Sequence, residues 1–146
     1  MTFTAAEIEF LGRLQRGHLA TVGGQGSPQV KPVGFTYNRD LGTIDIAGFN
    51  MGQSAKYHNV QANPSVAFVV DEVTAPTMEG AHFLEIRGDA ETAIGATDPT
   101  GHLAPEIIRI HPRRIVSYNV DRAQPFSARD VSTAADATAA DATGAA

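Results

Sequence analysis

The sequence predicts a mainly β fold with few helices, built as a small antiparallel barrel of about six strands. Its hydrophobic period shifts from helical to two-residue alternation after Gly17 and stays strand-like over most of the remaining chain. Short segments rich in Gly, Pro, Asn and Asp join the strand-like runs. Those joints are too short to hold the crossover helices that parallel strands need, so neighbouring strands are expected to run antiparallel.

The first element is a helix. Thr4-Ala5-Ala6-Glu7 fits a capping box, in which hydroxyl and carboxylate satisfy each other's backbone donors. Ile8, Leu11 and Leu14 form an apolar stripe with Phe10 beside it, and the pattern predicts an end near Arg16-Gly17. Strands are then expected over His18–Val22 and Gln29–Tyr37, joined by the hairpin signal from Gly23 to Pro28. Asn38 to Gly42 reads as a second turn, leading into the alternating run Thr43–Ala47. Ser54–Ala62 predicts a short helix that Asn63-Pro64 ends. The continuous apolar run Val66–Val70 predicts a central strand covered on both faces. Two long strands come next, over His82–Ile94 and Ile107–Val120, interrupted by Gly88 and Pro112 as bulge or edge features.

The 146 residues are expected to form one domain over residues 1–128 and a disordered Ala/Asp/Thr tail over 129–146. The last seventeen residues carry Asp130, Asp136 and Asp141 and no cation. Residues 1–129 therefore hold 13 acids against 11 bases, while the whole chain has a net charge of −5. A nearly neutral body gives no support to nucleic-acid binding through a basic face. With no cysteine, thiolate metal sites, disulfides and cysteine nucleophiles are excluded. No apolar run approaches the ~20 residues of a membrane span, and the first residues lack a signal-peptide pattern, so a cytoplasmic protein without membrane contact is expected.

Familiar catalytic patterns are absent from the sequence. Gly23-Gly24-Gln25-Gly26 lacks the Gly-Lys-Ser/Thr ending of a phosphate-binding loop, and the five histidines never recur at the four-residue spacing of a helical metal pair, so no metal is expected. Glu7, Glu9, Asp71 and Glu72 read as caps and solvated faces. Lysine usage is more informative, with nine arginines but only Lys31 and Lys56. Lysine offers a compact charge that the planar fork of arginine does not mimic.

Ser54 is placed to cap a helix, which puts Lys56 in the first turn. A cation there is disfavoured by the helix dipole unless an anion also sits at the helix start. Two readings stay open: Lys56 points to solvent, or the helix start, the Ser54 hydroxyl and the Lys56 ammonium hold a phosphate or carboxylate. Pro32 cannot donate to a sheet ladder, so the strand around Lys31 is locally open, either as a ligand wall or as a simple edge.

In order and spacing, several segments resemble the split-barrel flavin and deazaflavin proteins of the pyridoxamine 5'-phosphate oxidase-like superfamily, and within it the small coenzyme F420-dependent oxidoreductases of actinobacteria. The segments are His18–Val22, Gly26–Gly34, Ile44–Met51, Lys56–Val60, Asn63–Asp71, Glu85–Glu91 and Ile108–Ser117. The resemblance spans residues from about 5 to 120.

It implies a six-stranded antiparallel split β-barrel of the FMN-binding type, a homodimer, and cofactor sites in grooves between subunits. It also implies that a cofactor phosphate lies near Asn50, Met51, Ser54, Lys56, Tyr57 and His58, with Ser54 and Lys56 as ligands. His58 would then be a pH-dependent substitute for a cation that many relatives carry. Gln29, Val30, Lys31, Pro32 and Val33 would line the tricyclic ring, and Lys31 would stabilise negative charge on its reduced form. The resemblance makes coenzyme F420 the expected cofactor, delivering a hydride to a small organic acceptor, with no catalytic side chain assigned. An FMN-dependent reductase and a non-catalytic flavin, deazaflavin or haem binding module are the alternatives. Vitamin B6 oxidase activity is not expected, because the basic, aromatic substrate segment of those enzymes is replaced here by the Ala/Asp/Thr tail.

Overall fold

The computed structural model describes residues 2–96 and 98–132. Its elements in chain order are α1 (Ala5–Arg13), β1 (Arg16–Val22), β2 (Pro28–Gly34), β3 (Thr36–Asn38), β4 (Thr43–Ile46), α2 (Ala55–Ala62), β5 (Ser65–Val73), β6 (Ala81–Ile94), β7 (Glu106–Asp121) and β8 (Gln124–Asp130). The capping box is present: the Glu7 amide donates to the Thr4 hydroxyl at 3.2 Å and the Thr4 amide to the Glu7 carboxylate at 3.1 Å. Helix α1 ends earlier than its apolar stripe suggests, because Leu14 is already extended.

Among the described residues the strands form one eight-stranded antiparallel sheet rather than six strands. The order is β2-β1-β5-β6-β7-β4-β3, and β8 pairs with β7. The expected strand Gln29–Tyr37 is two strands that occupy opposite edges of this sheet, broken at Phe35. Gly34 and Thr36 therefore belong to different edges, which forces the sheet to curl. The Phe35 ring meets Phe68 edge-on, with 5.2 Å between ring centroids.

The inner face holds Leu19, Ile44, Ile46, Phe68, Val70, Leu84, Ile86, Ile108 and Ile110, all at most 1% exposed. Helix α1 adds Phe10 and Leu11 to this core and α2 adds Val60. The run Val66–Val70 is central, between β1 and β6, but alternates in burial, with Ala67 and Val69 half-buried on the outer face. Gly88 and Pro112 mark the register shift between β6 and β7. A Cβ at Gly88 would lie 2.1 Å from the His111 carbonyl oxygen, so only glycine fits this crossing.

The first two positions of the expected tail belong to the domain. Arg129 and Asp130 lie in β8, paired with Ile115 and Arg114. The Arg129 guanidinium donates to both carboxylate oxygens of Glu7, 2.8 Å to Oε2, and to the Thr2 carbonyl at 3.2 Å. Glu7 is thus buried and paired rather than solvated. Strand β8 was not legible because Gln124–Asp130 carries a single large apolar residue, Phe126. The expectation of disorder over residues 133–146 falls outside the described residues.

A second network ties β3, β4 and β7. Asp45 accepts from Arg109 Nε and Nη2, each at 3.0 Å, from Asn38 Nδ2 at 3.0 Å and from the Thr43 hydroxyl at 2.9 Å. Burial pushes its carboxyl up, but the bonds from Arg109, Asn38 and Thr43 outweigh that and hold it below its ordinary value.

Unfolding measurements can test both networks. Arg129→Ala strands the buried Glu7 carboxylate and should cost about 3 kcal/mol in urea unfolding, whereas a Glu7→Leu/Arg129→Leu double variant should recover most of the loss. For Asp45, a lowered native pKa means stability that is complete above the ordinary aspartate range and is lost as pH falls through the lowered value. The urea-midpoint gap between wild type and Asp45→Asn should therefore be widest near neutrality and narrow in that acid window.

Candidate functional site

Edge strand β2 and the turn leading into α2 face one another across a groove of about 570 Å³. One wall is Pro32, Val33 and Gly34 of β2 with Arg16 of β1. The other runs from Ala47 through Asn50 and Met51 to Gln53, Ser54 and Lys56. Leu103 and Phe49 stand at its lip, Phe49 80% exposed.

The second wall is shaped by local bonding. The amides of Gln53 and Ser54 donate to the carbonyls of Asn50 and Met51 at 3.1 and 3.0 Å, forming a single helical turn. Ser54 is the N-cap of α2, as its place in the sequence predicts. Its hydroxyl accepts from the Tyr57 amide at 3.3 Å and donates to the Met51 carbonyl at 2.7 Å. The amides of Ala55 and Lys56 come directly after the cap and have no acceptor within the helix. The Ser54 proton is thus committed to the protein, so the donors at this end are the two amides and the Lys56 ammonium. Among the described residues Arg16, Lys31 and Lys56 take part in no ion pair. The Glu106 carboxylate packs beside the turn, 3.3 Å from where a Cβ on Gly52 would lie.

Of the eleven residues expected to touch a cofactor, six line this groove: Pro32, Val33, Asn50, Met51, Ser54 and Lys56. The other five do not line it in the single chain, for identifiable reasons. The groove takes only the end of β2, Pro32 to Gly34; Lys31, opposite buried Leu19, shares the face of Val33 but lies before that stretch. Gln29 lies on the Lys31 face and accepts from Asn59 Nδ2 at 3.0 Å. Val30 shares the Pro32 face but sits farther along the edge and is 61% exposed. Helical rotation turns Tyr57 away from Lys56 and onto the core, and exposed His58 meets the Tyr57 ring edge-on.

Arg16, Gln53 and Leu103 were missed. The signal for Arg16 was available: counting back from the hairpin, Val22 opposite Pro28 puts Arg16 opposite Gly34. Leu103 reaches the groove from the loop between β6 and β7, and nothing in its local pattern announces that. Among the described residues no three His, Asp or Glu side chains are placed to hold a metal, and no helix is long and apolar enough to cross a membrane.

A curled antiparallel sheet with a groove along its open edge defines a split-barrel protein. The profile of the pyridoxamine 5'-phosphate oxidase family matches residues 3–124, and the chain belongs to that family. It is 43% identical over 134 residues to a 5a,11a-dehydrotetracycline/5a,11a-dehydrooxytetracycline reductase of Streptomyces rimosus, covering 90% of this chain and 94% of that one. This places it among the oxidoreductases of the family. A conserved hypothetical protein of Mycobacterium tuberculosis shares the fold at a TM-score of 0.68 and 21% identity, over 91% of this chain and 94% of the other. An F420 reductase superposes at a TM-score of 0.51 with 26% identity, over 67% and 86% of the two chains.

The committed Ser54 hydroxyl yields a prediction. Ser54→Ala should lower stability by about 1 kcal/mol through loss of the cap, and Ser54→Asp, which still accepts from Tyr57, should retain it; thermal unfolding of the three proteins checks this.

Proposed function

We propose that this protein is a reductase that binds coenzyme F420 in the groove between β2 and the start of α2 and serves its hydride transfer to a small organic acceptor. The observation that carries the reading is the pairing of an unladdered strand edge at Pro32–Gly34 with a helix start whose cation has no ion-pair partner among the described residues. The groove suits such a cofactor chemically. A flat heterocycle can lie on the backbone edge, and an anionic side arm meets the Ala55 and Lys56 amides and the Lys56 ammonium. When bound, the deazaflavin supplies hydride chemistry, and the protein supplies orientation and charge. The acceptor class is suggested by the Streptomyces reductase, whose substrate is a dehydrotetracycline; a fused-ring unsaturated ketone is the first acceptor to try. The family assignment also supports FMN in the same groove, as the second reading.

A second copy of the chain is proposed on the outer sheet face. Phe83, Tyr118 and Phe126 lie side by side across β6, β7 and β8, with Phe126 63% exposed. The neighbouring row runs Pro32, His18, Val69, Glu85, Val116 and Ala128. A partly exposed aromatic row of this kind, with Phe83 and Tyr118 half-buried, fits an interface. The second row begins at Pro32, so a partner on this face would reach the cofactor groove. Val30 lies on this same face, at the edge next to that groove.

The decisive experiment titrates the purified protein with F420 and with FMN by fluorescence. F420 should bind more tightly than FMN, and Lys56→Ala should weaken either by about tenfold, the loss of one charge-assisted contact. Binding of both weaker than about 100 μM, near −5.5 kcal/mol, overturns the reading. For the dimer, sedimentation should give twice the 15.4 kDa chain mass, and Phe126→Arg should shift it toward the monomer.

A further inference from the structure

Beside the cofactor groove lies a second cleft of about 330 Å³, at the lower end of the ~300–1,000 Å³ usual for small-molecule sites. The two share walls, because Ala47 and Leu103 line both. The loop between β6 and β7 makes this partition and is held at three points. Its neck is closed by the Gly95 amide on the Pro105 carbonyl at 2.8 Å, and the Ala104 amide reaches the Gly48 carbonyl at 3.0 Å. Asp98 accepts from the amides of Thr100, His102 and Leu103, the last at 2.8 Å. Leu103 is therefore a fixed divider, 43% exposed, with one side toward each space.

The cleft has a different charge balance from the groove. One side is apolar, with Ala47, Leu103 and Ile107, and Ile94 stands 70% exposed at its mouth. The opposite side is a row of register partners across three strands, Thr36, Asp45 and Arg109. Arg109 spends Nε and Nη2 on Asp45, and Glu91 is its register partner on β6. Flanked by two carboxylates, the guanidinium brings no net positive charge, yet among the described residues its Nη1 and the Thr36 hydroxyl take part in no hydrogen bond. Such a row donates to neutral oxygens and does not attract a strong anion.

We infer that this cleft is the acceptor subsite, taking a flat fused-ring compound with carbonyl or phenol oxygens along one edge. Its rings lie against Leu103 and Ile107 and its oxygens meet Arg109 and Thr36. Anionic groups are sorted to the groove, where Lys56 and Arg16 have no ion-pair partner among the described residues. Leu103 then sets how far the acceptor reaches toward the cofactor. The inference rests on the reductase reading above and adds the place and chemistry of the second ligand.

The test uses quinizarin, a dihydroxylated anthraquinone that stays neutral near neutrality because both phenols are hydrogen-bonded to its carbonyls and whose absorbance reports binding, with wild type, Ala96→Trp and Ile94→Asp. Ala96 lines the cleft and is exposed, so tryptophan there fills space without disturbing the core. Quinizarin should bind wild type whether or not F420 or FMN is present. Ala96→Trp should weaken it by about tenfold or more and Ile94→Asp by a smaller factor, while cofactor affinity in both variants stays within about twofold of wild type. No quinizarin binding, equal quinizarin affinity in wild type and Ala96→Trp, or displacement of quinizarin by cofactor overturns the inference. Failure of the reductase reading looks different, because there F420 and FMN themselves do not bind.

Discussion

One residue, Phe35, is all that separates the two edges of the sheet. Strand β2 ends at Gly34 and β3 begins at Thr36, yet these strands terminate opposite sides of the order β2-β1-β5-β6-β7-β4-β3. Neighbouring Cα atoms are about 3.8 Å apart, so Gly34 and Thr36 cannot be more than about 7–8 Å apart. An open sheet of this width could not satisfy that, and the sheet must curl until its edges meet. Right-handed twist makes curling easy, and the Gly88 bulge lets the long β6–β7 pair bend. Closure is by covalent chain at one point, so backbone beyond it on the β2 side is left without a ladder partner. The candidate groove occupies that seam.

The two spaces flanking Leu103 differ in how their charges are accounted for. Beside the groove, Arg16 and Lys56 stand near a helix start with no ion-pair partner among the described residues. In the cleft, Arg109 and Asp45 neutralise one another through a two-pronged contact, with Asn38 and Thr43 occupying the remaining carboxylate sites. Unbalanced charge beside solvent attracts a counter-ion, whereas a satisfied pair fixes side-chain geometry and leaves only directional donors. A molecule or pair of molecules with one anionic arm and one neutral oxygenated ring system would meet each part where its chemistry is matched.

The sequence was most legible where a local rule decides the outcome. Thr4 and Glu7 made the predicted capping box, Ser54 took its cap, and Gly88 with Pro112 marked the shift in register. It was least legible where tertiary contacts decide. Nothing local distinguishes Phe35 from the residues around it, although it splits one expected strand into two. Arg129 looked like the start of a featureless tail because its partner, Glu7, lies at the far end of the chain. At the site, Gln29–Val33 does not act as a block, because the groove meets only the end of β2, Pro32 to Gly34, and Lys31 lies before it.

Pro32 links the fold's main hazard to its candidate function. An exposed edge strand is a template for pairing with another chain, and β2 is such an edge. Proline at positions 28 and 32 removes two of the donors that a foreign strand would need, and Lys31 adds charge between them. Residues that keep the edge from being extended by another strand also keep it available to a ligand that needs no ladder. A planar heterocycle is such a ligand, since it can use the free backbone groups that remain without continuing the sheet. The same feature that makes β2 a poor partner for a strand therefore makes it a suitable wall for a ring, and the closure at Phe35 holds that wall opposite the start of α2.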